Sequence, residues 1–133
     1  MILDSSFLID IEGEHENALT KARAIETDGV PRRVPMVVVF ELYISVGKGT
    51  QTDENQQKVD GVLQSLPIVG LTEPIAKRAG IIEGELQADD RGDEGIGPAD
   101  AIIAATALEY EEPIVTDDPD DFERVDGVTI ETY

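Results

Sequence analysis

The sequence predicts an α/β protein, a three-layer α/β/α sandwich around a central, mainly parallel sheet. Two observations carry this. Short β-branched runs ("MIL", "VPMVVV", "PIVGL", "PIVTDD", "VTIETY") recur along the chain, separated by segments of helical periodicity. The runs are apolar on both faces, as strands covered by helices on either side must be. A third observation concerns ligands. Acids stand where several of these runs stop, and open α/β sheets bind ligands beyond the carboxyl ends of their strands.

Taken in order, "MIL" reads as a strand and "FLIDIEG" as a helical turn ending at Gly13. Ala18, Leu19, Ala22 and Ile25 share a helical face that stops at Asp28-Gly29. "VPMVVV" is expected to be a buried strand, running into a helix that holds Phe40 and Ile44. The helix "TDENQQKVDGVLQSL" is expected to be capped by Thr52 and Asp53. "PIVGL" follows as a strand. A longer helix comes next, with Thr72 as cap, Pro74 in its first turn, and Ile75, Ala79, Ile82 and Leu86 on one face. "DDRGDEGIGP" is a loop and "ADAIIAATALEY" a helix whose alanines permit close packing. "PIVTDD", a turn or short helix at "PDDFERV" and the strand "VTIETY" complete a single domain over 1–133.

Composition removes several chemistries. There is no cysteine and one histidine, His15, in a polar stretch that reads as surface. Ser-His-Asp and Cys-His catalysis and zinc sites built on Cys and His are therefore disfavoured. No phosphate-binding glycine loop of either common type occurs. No apolar run spans a bilayer and no signal peptide pattern precedes "MILD", so a cytoplasmic protein with no membrane association is expected. The 29 acidic against 10 basic residues leave a net charge of −19. Such self-repulsion is tolerable where salt screens it, which points to a halophile's cytoplasm.

What remains is carboxylate chemistry with a hard cation. Most acids in so acidic a chain are solvated. The informative ones are flanked by apolar residues, because a buried charge is costly unless paired or metal-bound. Asp4 after "MIL", Glu41 after "MVVVF", Asp100 at the head of "AIIAATAL", and one of Asp117 and Asp118 after "PIVT" meet that condition. Asp100 can also be read as an acid favoured by a helix N-terminus. Glu41 has no Arg or Lys within its apolar run to pair with. Asp10 reads as an exposed helical position beside a buried Ile9, and Ser5 or Ser6 as the cap of the first helix. The runs Asp89-Asp90, Asp93-Glu94, Glu111-Glu112 and Asp120-Asp121 read as solvent-facing. Four carboxylates around one point can hold one or two Mg²⁺ or Mn²⁺ ions, which activate water for attack on phosphorus and reverse the local field for a phosphate.

The segments "MILDSSFLID", "FEL", "PADAIIAATAL" and "IVTDDPDDFERVDGV", in this order and spacing, resemble the PIN-domain family. They resemble most the small VapC-type toxins of toxin–antitoxin pairs. The resemblance covers nearly the whole chain. It implies a metal-dependent endoribonuclease, with Asp4, Glu41, Asp100 and Asp118 (Asp117 less clearly) as catalytic and metal-binding acids. Ser6 and Thr116 would be supporting hydroxyls. It further implies Mg²⁺ or Mn²⁺ as cofactor, RNA as substrate with 3′-hydroxyl and 5′-phosphate products, a cognate antitoxin as partner, and a homodimer. The helices between residues 38 and 64 are the expected dimer contact. A PIN nuclease of RNA processing or decay without an antitoxin, a non-cleaving binding module, and a phosphatase or DNA nuclease using the same acids are the alternatives. RNA-binding surfaces are usually basic. Here only Arg32, Arg33, Lys48, Lys77, Arg78, Arg91 and Arg124 offer themselves for phosphate contacts.

Overall fold

A computed structural model describes residues 1–89 and 94–133; Asp90, Arg91, Gly92 and Asp93, and the expectations placed on them, lie outside the described residues. The chain runs β1 (Ile2–Leu3), α1 (Ser5–Glu12), α2 (Glu16–Thr27), β2 (Val34–Pro35), α3 (Met36–Lys48), α4 (Thr52–Leu63) and β3 (Ile68–Val69). It continues with α5 (Glu73–Gln87), α6 (Pro98–Tyr110), β4 (Ile114–Val115), α7 (Asp120–Glu123) and β5 (Ile130–Glu131).

All strand pairings are parallel: β1 with β4, β4 with β5, and β2 with β3. A parallel bridge between Ile2 and Arg33 joins the two pieces, through Leu3 N–H to Arg33 O at 2.9 Å and Arg33 N–H to Met1 O at 2.9 Å. The sheet order is therefore β3-β2-β1-β4-β5. This is the expected α/β architecture with a parallel sheet. β1 and β2 hand almost directly to α1 and α3 at their carboxyl ends. Ile2, Leu3, Val34, Ile114 and Val115 are buried to 1% exposure or less, as strands covered on both faces should be.

Helix α6 lies against β1 and β4 and pairs with α5. Ala101, Ala104, Ala105 and Ala107 are all buried on it, so the backbones approach closely. Buried Thr106 turns its hydroxyl back to Ile102 O at 2.7 Å, the usual way for a hydroxyl to be satisfied inside a helix. No described helix is long and apolar enough to cross a membrane.

Three local expectations are corrected. Met36–Val39 are helical, not strand. Pro35 contributes no N–H to a ladder, and the run buries Val38, Leu42 and Val46 at helical spacing, which overrides β-branched propensity. Phe40 and Ile44 consequently fall on the open face, 66% and 43% exposed. Helix α4 is preceded by Gln51 and has no side-chain cap; Thr52 donates to Gly49 O instead. Helix α1 is capped by neither serine: Asp4 itself accepts from Ser5 N–H at 2.8 Å.

Candidate metal centre

Three acids are brought together by three different elements. Asp4 ends β1 and is 6% exposed. Glu41 sits on α3, not at a strand end, five residues beyond its first residue. Asp100 lies in the first turn of α6. Their proximity is visible in their mutual charges. Burial pushes Asp4 above the usual carboxylate range, against the hydrogen bonds it receives. Burial and the Asp4 charge do the same to Glu41. Asp100 is pushed up to about 7 by burial, then by the Asp4 and Glu41 charges, with Asp121 adding to the effect. Like charges this close disfavour full ionisation unless a cation offsets them.

Hydroxyls hold Asp4 in place. Thr116, wholly buried at the end of β4, donates to Asp4 Oδ2 at 2.8 Å and accepts from Asp118 N–H at 3.0 Å. Ser6 donates to the same oxygen at 3.2 Å, and Asp117 N–H points at Ser6 Oγ at 3.4 Å. Ser6 and Thr116 thus tie β1, α1 and the loop after β4 around one carboxylate. Thr116→Val keeps the shape but strands both partners. Its expected result is cleavage slowed about 10–100-fold, as for other residues that orient metal ligands, with modest loss of stability. Unchanged kinetics would contradict the assignment.

Of the doublet, Asp117 is the acid whose charge raises Asp4. Asp117 and Asp118 are both exposed, and Asp118 is engaged here through its amide. Four residues read as surface or helix face are half-buried instead. Asp121 is half-buried and its carboxyl meets that of Asp100. Glu112 is half-buried and takes Arg33 Nε at 2.6 Å. Asp10 is half-buried and accepts from Tyr133 at 2.6 Å, whereas Ile9, expected to be buried, is 42% exposed. Asp89 is also half-buried, whereas His15 is exposed as expected.

Do these residues suit a cation? Glu41 Oε1 is a buried oxygen with no hydrogen-bond partner. A buried unpaired acceptor is costly, and beside two further carboxylates a cation would satisfy it. Among the described residues, no three His, Cys, Asp or Glu side chains stand close enough together to hold a metal ion between them. The donor set is all oxygen, as a hard ion requires.

A profile of the PIN domain matches residues 1–128. The chain belongs to the PIN domain family. Among solved structures, this PIN domain is similar to VapBC2 from Rickettsia felis bound to a fragment of promoter DNA. There the TM-score is 0.87 at 22% identity, covering 99% of this chain and 97% of the other. It is also similar to DNA-bound VapBC from Salmonella typhimurium (TM-score 0.83, 23% identity, 98% and 96% covered). VapBC-5 from Mycobacterium tuberculosis, of the VapBC family of toxin–antitoxin systems, gives a TM-score of 0.65 at 23% identity, with 98% and 94% covered. No curated protein sequence matches it. The fold likeness extends over essentially the whole chain.

The positive charges of this PIN domain are largely spoken for. Lys21, Arg33, Lys58, Lys77 and Arg78 each pair with a glutamate. Arg23 and Arg124 donate to backbone carbonyls. Arg32 and Lys48 alone are without such a partner among the described residues. Arg32 and Arg33 precede β2, at the end of the sheet opposite Asp4 and Thr116.

Proposed function

We propose that this PIN domain is a Mg²⁺- or Mn²⁺-dependent endoribonuclease, the toxin of a VapBC-type pair. The observation that carries the reading is the convergence of Asp4, Glu41 and Asp100 with an unpartnered buried oxygen on Glu41. Asp4 and Asp100 would hold the ion directly, with Glu41 and the acids after β4, Asp118 or Asp117, completing the site or binding through water. When bound, the ion supplies a water acidified for attack and positive charge for the phosphate. The chain's own work is to hold Asp4 in one rotamer through Ser6 and Thr116. It also keeps three carboxylates dry enough that each favours a cation, and excludes bulk water with the surrounding core. Because the basic residues are mostly paired, the ion is the main local attraction for a phosphodiester.

The toxin reading rests on the shared fold with VapBC structures. It also rests on an open apolar stripe on α3, where Met36, Phe40 and Ile44 stand one turn apart at 49%, 66% and 43% exposure. Contiguous apolar surface of this kind marks an interface, here for the antitoxin or for a second copy in a homodimer. We attribute the −19 charge to a salt-rich cytoplasm rather than to the substrate. Cleavage of end-labelled RNA and DNA oligonucleotides in high KCl tests the reading. RNA fragments bearing 5′-phosphates, formed with Mn²⁺ and stopped by EDTA, are expected. Cleavage indifferent to EDTA would contradict it.

A further inference from the structure

Helix α6 begins on an unusual hinge. Its cap residue, Gly97, has φ 94° and ψ 157° and offers no side chain to the helix end. Pro98 follows and brings no N–H. Asp100 stands three residues after Gly97. The path of residues 95–97 therefore sets where the Asp100 carboxylate points. That path is held from outside the helix. Glu83, on α5, accepts Ile96 N–H at 3.1 Å on Oε2. It also accepts Gly97 N–H on both oxygens, at 3.2 and 3.1 Å. Gln87 donates to Glu83 Oε1 at 3.2 Å and steadies it from the next turn. Charged hydrogen bonds to backbone amides are among the stronger ones available to a loop.

Residue 95 carries an independent sign of the same arrangement. A Cβ there would stand 1.6 Å from Glu83 Oε1 and 2.2 Å from its Cδ, and its three nearest atoms all belong to this one carboxyl group. Glycine at 95 leaves room for Glu83 to reach the amides and for nothing else that these contacts reveal. Glu83 is half-buried on the helix that packs most closely on α6. Its carboxylate makes no ion pair with a described Lys or Arg. A half-buried acid used to hold two consecutive amides is better explained by the loop it fixes than by charge balance.

We propose that Glu83 is a positioning residue of the metal centre: by latching the Ile96 and Gly97 amides it sets the first turn of α6 and aims Asp100 at the ion. This rests on the metal-nuclease reading above. Glu83 touches neither ion nor substrate and acts through Asp100.

The test uses the full chain, with Mn²⁺ as the probe, in Glu83→Ala, Glu83→Gln and Gly95→Ala. Mn²⁺ affinity is read by the paramagnetic signal of the free ion, RNA cleavage by kcat and KM, and the latch by hydrogen exchange at Ile96 and Gly97. Gly95→Ala dislodges Glu83 without deleting it. The expected result is Mn²⁺ affinity about tenfold weaker and kcat about 10–100-fold lower in Glu83→Ala and Gly95→Ala, with KM for RNA little changed. Glu83→Gln, which keeps one oxygen acceptor, should recover part of both. Faster exchange at both amides with wild-type Mn²⁺ affinity and kcat would overturn the proposal, since the latch would be open and the site unaffected. A lower Tm with unchanged Mn²⁺ affinity would overturn it equally, leaving Glu83 a merely structural acid. Failure of the underlying reading shows separately, in the wild-type protein: no Mn²⁺ uptake and no cleavage there removes the site, and the proposal with it.

Discussion

Asp100→Asn is expected to abolish cleavage, by at least about a hundredfold, and yet to stabilise the metal-free protein at pH 8. The two effects have one cause. Burial and the charges of Asp4 and Glu41 raise Asp100 to about 7, well above an unfolded aspartate at about 3.9. A carboxyl whose folded pKa is raised contributes stability that is fully present below its unfolded pKa and is lost as pH rises through the folded one. Metal-free wild type should therefore lose stability between about pH 4 and pH 7. Above that, Asp100 is forced to ionise beside Asp4 and Glu41. Asparagine removes one charge, so the Tm of the variant should exceed wild type at pH 8 and approach it at pH 4.5. Added Mn²⁺ should raise the wild-type Tm at pH 8 and leave the variant nearly unmoved. Metal affinity should also climb with pH through about 7, because the ion displaces the Asp100 proton. Thermal melts at both pH values, with and without Mn²⁺, check this. A variant less stable than wild type at pH 8 would show that Asp100 is held by partners rather than by repulsion.

The second large effect is salt. With 29 acidic and 10 basic residues, and most described basic side chains already paired, the remaining acids repel one another across the surface. At about 1 M ionic strength the screening length falls to roughly 3 Å, against roughly 10 Å at 0.1 M. Moving from 0.1 M to 2–3 M KCl is expected to raise Tm by about 10 °C or more, equivalent to roughly 3 kcal/mol for a domain of this size. Melting curves that coincide at the two concentrations would refute a salt-adapted surface.

How far the sequence carried this reading depended on how local the signal was. Asp4, Glu41 and Asp100 were legible because each interrupts an apolar run, and an acid there must be compensated. Ser6 and Thr116 came only with the family resemblance, because a lone hydroxyl beside an acid carries little signal of its own. Asp121 and Glu112 were not legible. Each sits in an acidic run that looks solvated, and only the packing of α7 and β4 turns one acid of each pair inward. Glu83 was hidden for the opposite reason: it is one polar residue among several on a long helix, and its partners are amides 13 and 14 residues away. A glycine-rich approach to Asp100 was the available hint. Strand β2 was overextended because Val37, Val38 and Val39 favour strands locally, whereas the buried spacing of Val38, Leu42 and Val46 favours a helix. The parallel sheet was readable because apolar runs buried on both faces alternate with helical segments.

The most direct measurement follows Mn²⁺ occupancy and RNA cleavage on the same sample. A mixed RNA pool in high KCl would be titrated with Mn²⁺, wild type beside Asp100→Asn. The carboxylate-centre account predicts cleavage that rises in step with occupancy in the wild type, and neither occupancy nor cleavage in the variant over the same range. Cleavage persisting in the variant, or a wild type that fills with Mn²⁺ and leaves every RNA intact, would contradict it.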